Sequence, residues 1–158
     1  MAAVTELLEQ RGVPFEAIPH ERTYTSIDEA RALGIAADEV VKTVVLDTAS
    51  GHALAVLPAS RRVDIRLARA AIGDAHARFA SEEELVRDFP DLELGAFPPL
   101  GSLLRVPTFV DPEVLTHDTV VFAAGSQNES VKARTEDLFR DEPITEAPLT
   151  RHTGLIDE

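Results

Sequence analysis

The chain has 158 residues, 44% of them hydrophobic, a formal net charge of −13 and no cysteine. Its length and apolar share suit one globular domain, and no run reaches the ~18 apolar residues of a membrane span. Fifteen Lys and Arg against 28 acids argue against a non-specific nucleic-acid binder and against a DNA partner, while zero cysteines exclude disulfides, thiolate chemistry and Cys-based zinc sites.

Residues 2–12 read as an amphipathic helix, with Val4, Leu7 and Leu8 on one side and Gly12 as its stop. The early Glu6 and the absence of a basic and then apolar stretch make this a helix opening, not a secretory signal. A cytoplasmic setting is the simplest expectation. Pro14 to Pro19 is extended and ends at His20. Ser26-Ile-Asp-Glu29 has capping-box spacing and opens a helix through Leu33, with Gly34 after it.

Glu39 to Leu46 is so rich in β-branched residues that it reads as a buried strand, turning at Ser50-Gly51 into a second strand over Ala53–Leu57. Asp64 caps a helix through Ile72, stopped by Gly73, and Ser81-Glu-Glu-Glu84 is a second capping box for a helix ending near Phe89-Pro90. Short strands follow around Leu103–Val106 and Thr108–Val110, then a strand from Thr119 to Ala123 and a last helix from Thr135. Residues from about 141 to 158, with Pro143 and Pro148 among polar residues, read as a loosely held tail. Strands outnumber helices and often adjoin directly. The pattern predicts an α+β domain with a mixed, largely antiparallel sheet flanked by helices.

Three segments can carry chemistry. In the first strand, Val40, Lys42, Val44 and Leu46 share one face and Val41, Thr43 and Val45 the other. Neither face is polar, so the Lys42 ammonium points into an enclosed space, where it needs a partner, a route to water or a lowered pKa. The alternative is a lysine whose stem packs and whose head escapes at a sheet edge. In Gly95-Ala-Phe-Pro-Pro-Leu-Gly101, two glycines flank a Pro-Pro step. Such a loop is stiff, its backbone can approach a ligand closely, and its N–H groups can bind a carbonyl oxygen or a phosphate. A plain structural loop is the competing reading. The third segment, Phe122 to Asn128, is a strand running into a small polar turn.

Other constellations fail. His20, His52, His76, His117 and His152 show no metal-ligand spacing, and the chain has no Gly-x-Ser-x-Gly elbow, no phosphate loop and no dinucleotide fingerprint. No metal and no cofactor is expected.

Taken in order, the pieces are His20 before the Thr25-Ser26-Ile-Asp-Glu-Ala helix start, Val41-Lys42-Thr43-Val-Val, and Val56-Leu-Pro-Ala59 with Val63-Asp64. The Gly95-x-x-x-Pro99-x-Gly101 loop, Val110-Asp111 and Ala124-Gly125 complete the series. Over roughly residues 14–140 the chain resembles the YbaK/prolyl-tRNA synthetase-associated editing-domain family, whose free-standing members are deacylases. The resemblance implies a single, partly barrel-like domain across residues 1–158. It also implies hydrolysis of the ester between a wrongly attached small amino acid and the terminal adenosine ribose of a tRNA, often proline tRNA. By this resemblance Lys42 and Gly95 are the catalytic positions: Lys42 meets the terminal nucleotide or the amino-acid moiety, and Gly95 offers backbone hydrogen bonds to the ester carbonyl. His20, Thr43, Pro99, Gly101, Gly125 and Ser126 would line the substrate site.

An ester is already activated, so such a site needs orientation and an oxyanion-stabilising backbone, not a strong nucleophile. Many relatives carry a histidine just after the Ala-Gly step, where this chain has Ser126-Gln127-Asn128; that histidine's role does not transfer. Expected partners are the acceptor end of an aminoacyl-tRNA, with Arg61, Arg62, Arg66, Arg69 and Lys132 as candidate phosphate contacts, and an aminoacyl-tRNA synthetase that offsets weak intrinsic tRNA affinity. The rival reading is a catalytically silent binding module for an aminoacyl or nucleotide ligand or for a synthetase.

Overall fold

The computed structural model describes residues 2–151. Helix α1 (Ala2–Gln10) leads into β1 (Phe15–Pro19), α2 (Ser26–Leu33) and a 3-10 turn at Ala37–Glu39. The hairpin β2 (Val40–Thr48) and β3 (Gly51–Pro58) is followed by α3 (Ile65–Ile72), the short β4 (Arg78–Phe79) and α4 (Glu82–Asp88). Then come α5 (Gly101–Leu104), β5 (Thr108–Val110), α6 (Pro112–Leu115), β6 (Thr119–Ala123), β7 (Glu129–Arg134), α7 (Thr135–Phe139) and β8 (Ile144–Glu146).

All strands join one mixed sheet in the order β1-β7-β6-β2-β3-β5-β8, with β4 added to β2. The β1–β7, β7–β6, β2–β3 and β2–β4 pairs are antiparallel. The β2–β6, β3–β5 and β5–β8 pairs are parallel. This is the α+β architecture with a mixed sheet that the sequence pattern predicts. The path is open, with no ladder joining β1 to β8 among the described residues.

Period-two alternation along β2 divides the interior as expected. Val41 and Val45 enter the main core with Leu54, Val56, Val110, Phe122 and Val131, closed by Val4 and Leu8 of α1 and by Phe97 and Leu100. The opposite face carries two smaller clusters. One holds Leu46, Leu57, Val63, Ala68 and Leu149; the other joins Ala30 of α2 to Val40, Ala59 and Val121. Lys42 lies on this second face, between the clusters, and is half-buried.

Local signals place most helix ends. Asp64 caps α3 and Gly73 ends it at φ +81; Ser81 and Glu84 form the reciprocal capping box of α4. Helix α2 departs from expectation: its cap is Thr25, whose hydroxyl accepts from Asp28 N at 3.1 Å. Glu29 is not a capping-box acid; it points inward and is 2% exposed.

Two further expectations are corrected. Leu103–Val106 is not a strand: Gly101–Leu104 is helical and closes at Arg105, which sits at φ +62. Nor are residues 141–151 loosely held. Strand β8 pairs with β5, Leu149 is fully buried, and Asp111 Oδ2 accepts from Leu149 N at 2.8 Å and Thr150 N at 3.2 Å. Long-range pairing and one buried carboxylate fix a segment whose prolines suggest none. Residues 152–158 of the expected tail, His152 among them, lie outside the described residues.

Candidate active site where two parallel strands part

The site follows from how β2 is paired. One edge of β2 pairs with β3 throughout. The other is shared by β6, beside Val40 and Val41, and by β4, beside Leu46 and Asp47. Among the described residues no strand pairs with Lys42–Val44 on that edge. Continuing the β2–β6 register puts Lys42 next to Ala123, the last residue of β6. Strand β6 ends there, beside the start of the longer β2, and the stretch of β2 edge between β6 and β4 forms the crevice; the end of a parallel strand is a common place for a ligand. The chain leaving β6 there runs through Gly125 and Ser126.

Three loops are tied together at this point. Gly125 N donates to Ala96 O at 2.8 Å and Glu93 N to Gly125 O at 2.9 Å, so the Gly95 loop is braced on the end of β6. Thr23 N donates to Gln127 O at 2.7 Å and His20 N to Asn128 O at 3.0 Å, which attaches the segment ahead of α2. Gln127 is 8% exposed and links all three: its N–H donates to Glu93 Oε1, its Nε2 to Leu94 O, both at 2.8 Å, and Arg22 donates to its Oε1 at 2.6 Å. The backbone donor at Gln127, with Arg22 beside it, holds the Glu93 carboxyl below the usual range.

Gly95 is required by two independent features. Its φ is +76, and a Cβ there would stand 2.1 Å from Tyr24 O. The loop therefore packs backbone to backbone on the segment before α2. None of the hydrogen bonds among the described residues uses the Gly95 N–H, and the residue is exposed. That leaves a main-chain donor beside the crevice.

Lys42, Gly95, Gly125, Ser126 and His20 are thus gathered at one end of β6. Ser126 Oγ donates to Asn128 Oδ1, which shapes the turn. The His20 ring bonds Ser130 Oγ at 2.8 Å. Thr43 is directed to the opposite face, where its Oγ1 is buried without a hydrogen-bond partner. Pro99 is buried, and Gly101 stands at the far end of the loop against β5: a Cβ there would meet Thr108 Oγ1 at 1.8 Å and Val106 O at 2.5 Å.

Of the candidate phosphate contacts, Arg61 reaches Glu113 at 3.8 Å, Arg66 reaches Asp64 at 3.6 Å, and Arg69 donates to Ala77 O at 2.8 Å. Arg62 and Lys132 are exposed. Sequence reasoning missed Gln127, Glu93 and Arg22 as the frame of the site. Its one signal was the polar Gln127 in an otherwise small turn, noted only as a substitution for histidine.

Comparison with known proteins gives the family and the fold. The model of the aminoacyl-tRNA editing domain family matches residues 20–140. A solved structure of a candidate trans-editing enzyme for prolyl tRNA synthetase superposes with a TM-score of 0.79 at 25% identity, covering 94% of this chain and 95% of that one. A hypothetical protein of known structure gives 0.85 at 23% identity, covering 94% and 99%. A candidate signal transduction protein from Marinobacter aquaeolei VT8 gives 0.75 at 20% identity; 99% of this chain matches only 32% of that one, so the fold also occurs inside a longer protein. The matched span runs from His20, where the crevice wall begins, to the helix after β7, and the chain belongs to the aminoacyl-tRNA editing domain family.

Proposed function

We propose that this protein is a trans-editing hydrolase that deacylates mischarged aminoacyl-tRNA carrying a small amino acid, with proline tRNA as the carrier. The reading is supported by the register that carries Lys42 to Ala123 and by the hydrogen bond that braces the Gly95 loop on Gly125, two residues further on. An aminoacyl ester entering the crevice would meet a cation for its nucleotide or amino-acid part and an N–H for its carbonyl oxygen. Water then attacks the ester carbon, the backbone donor stabilises the oxyanion, and the departing ribose oxygen takes the proton that the water gives up, leaving the free amino acid and the tRNA hydroxyl.

The charge of −13 fits a protein that takes only the acceptor end, since few phosphates need neutralising. Docking to a synthetase would supply the remaining affinity, and a cytoplasmic setting follows from that partner. The buried Gln127 clamp supports an intact site in place of the family histidine, and so favours the enzyme over a silent binding module. Lys42→Ala tests the reading. Its expected effect is a loss of about 100-fold or more in deacylation, the scale of a lost transition-state contact, with an unchanged melting temperature. Full activity in that variant would remove Lys42 from the site.

A further inference from the structure

One buried acid is unused by this reading. Glu29, on the sheet-facing side of α2, is 2% exposed, and Ser130 beside it is fully buried. Ser130 Oγ is within hydrogen-bond distance of Glu29 Oε2 and 2.8 Å from His20 Nε2, while His20 Nδ1 is 2.7 Å from Glu21 O. A carbonyl only accepts, so Nδ1 carries a hydrogen. Ser130 has one hydrogen to give to two neighbours, so one neighbour must donate to it. Either Glu29 is protonated and His20 neutral, or Glu29 is ionised and His20 doubly protonated. In both cases the chain is fully bonded only with one extra, shared proton. Remove it, and a carboxylate and a bare imidazole nitrogen compete for a single hydroxyl hydrogen.

The chain lies in line with the crevice. Ser130 pairs across the sheet with Ala123, and Ala123 continues the register to Lys42, all on one face. Two strand spacings separate Ser130 from Lys42, about 10 Å, with Ala123 on the strand between them. His20 also holds Asn128 O through its own N–H, so it ties the turn after β6 to the segment on which Gly95 packs.

Resting on the editing function above, we propose that Glu29 and Ser130 are positioning residues of that site. They hold His20 and the approach to α2 in place through one shared proton, and the crevice is assembled for deacylation only while that proton is bound. Burial pushes the Glu29 carboxyl up to about 7, only partly offset by its Ser130 bond, which sets the switch near neutrality. The other charged groups near it are His20 at the end of β1, Lys42 on β2, Lys132 with its cross-strand neighbour Glu16 on the same sheet face, Asp28 and Arg31 on α2, and Asp38 and Glu39 of the 3-10 turn.

The test is the ratio of deacylation rates at about pH 6 and pH 8, corrected for spontaneous hydrolysis, in wild type and Glu29→Gln. One ionisation near 7 predicts a ratio of about tenfold in wild type. The amide of the variant donates to Ser130 without titrating, so its ratio should be below about twofold. The same fall in Glu29→Gln as in wild type overturns the shared proton. Carbon-13 titration of the wild-type Glu29 carboxyl, read with nitrogen-15 shifts of the His20 ring, checks it without activity: a midpoint near 7 at the carboxyl supports the chain, and an ordinary carboxylate midpoint with no change at the ring between about pH 6 and pH 8 refutes it. Wild type inactive on every charged tRNA would overturn the editing function itself. An active wild type with an unaltered pH limb in Glu29→Gln would overturn the positioning role alone.

Discussion

Replacing Gly95 by alanine puts a methyl carbon 2.1 Å from Tyr24 O, at a backbone φ of +76. Carbon–oxygen contacts normally begin at about 3.3 Å, so the loop and the Tyr24 main chain must part by about 1 Å. Both sides of the clash are backbone, and neither can rotate away. The left-handed conformation adds about 1–2 kcal/mol for a residue with a Cβ, and the displaced contacts bring the total to about 3 kcal/mol. Gly12→Ala is the control: its φ is +67, and nothing lies within 4 Å of the added Cβ. It should cost only the conformational part. For a domain of this size, thermal unfolding should fall by about 6–12 °C in Gly95→Ala and by about 2–8 °C in Gly12→Ala. A loop shifted by about 1 Å should also lower deacylation by about 100-fold, while Gly12→Ala keeps its activity. Equal melting temperatures in the two variants, with Gly95→Ala fully active, would refute the argument that this close approach builds the site.

Further outcomes follow from three acidic side chains. The Glu29 carboxyl is raised above its unfolded value, to about 7 from 4.5, so the folded protein holds the proton more tightly. Its contribution is fully present below about pH 4.5 and lost as pH rises through about 7, by at most about 3 kcal/mol. Glu29→Gln should flatten that decline in denaturant titrations across the window; an unchanged pH slope would contradict the burial of the charge. Asp111→Ala leaves the Leu149 and Thr150 N–H groups without their carboxylate and uncaps α6. About 3 kcal/mol should be lost, with hydrogen exchange rising first at 147–150; protection unchanged there would show that the segment is held by other means. Asp88, whose carboxyl is held low by Arg87 and then by His52, stabilises the fold above the usual carboxylate range and loses that effect as pH falls. Asp88→Asn should therefore remove part of the acid-side decline in stability, and an identical acid transition would show the His52 contact to be idle.

How much was legible beforehand depended on how local each signal is. Strand β2, its hairpin with β3, and α3 between Asp64 and Gly73 are written in neighbouring residues, so composition and caps reveal them. Thr25 and Ser26 are equally able to cap, and the choice falls to Thr25 because Glu29 is drawn inward to Ser130, a residue 101 positions away. Strand β7 hides behind Lys132 and Arg134: it alternates, but its polar residues look like a solvated run until β1 and β6 pair with its two edges. The three-residue β8 is specified by β5 and by the Asp111 anchor of the residues after it, neither of which is a local feature.

The candidate site shows the same division. Lys42 stood out because a charge interrupts an apolar strand, and Gly95 because glycines flank prolines. What joins them is the parallel register of β2 and β6 and the hydrogen bonds of Gln127. Gly101 matched the family motif equally well, yet its missing side chain makes room for Thr108 and Val106. A motif records that glycine is needed; only the packing says for what.

The most direct test is a deacylation panel with wild-type protein: proline tRNA charged with alanine, cysteine, serine or proline, and alanine tRNA charged with alanine. Selective hydrolysis of one mischarged proline tRNA, with prolyl-tRNA spared, is the predicted result. Folded protein that leaves every ester intact would contradict it.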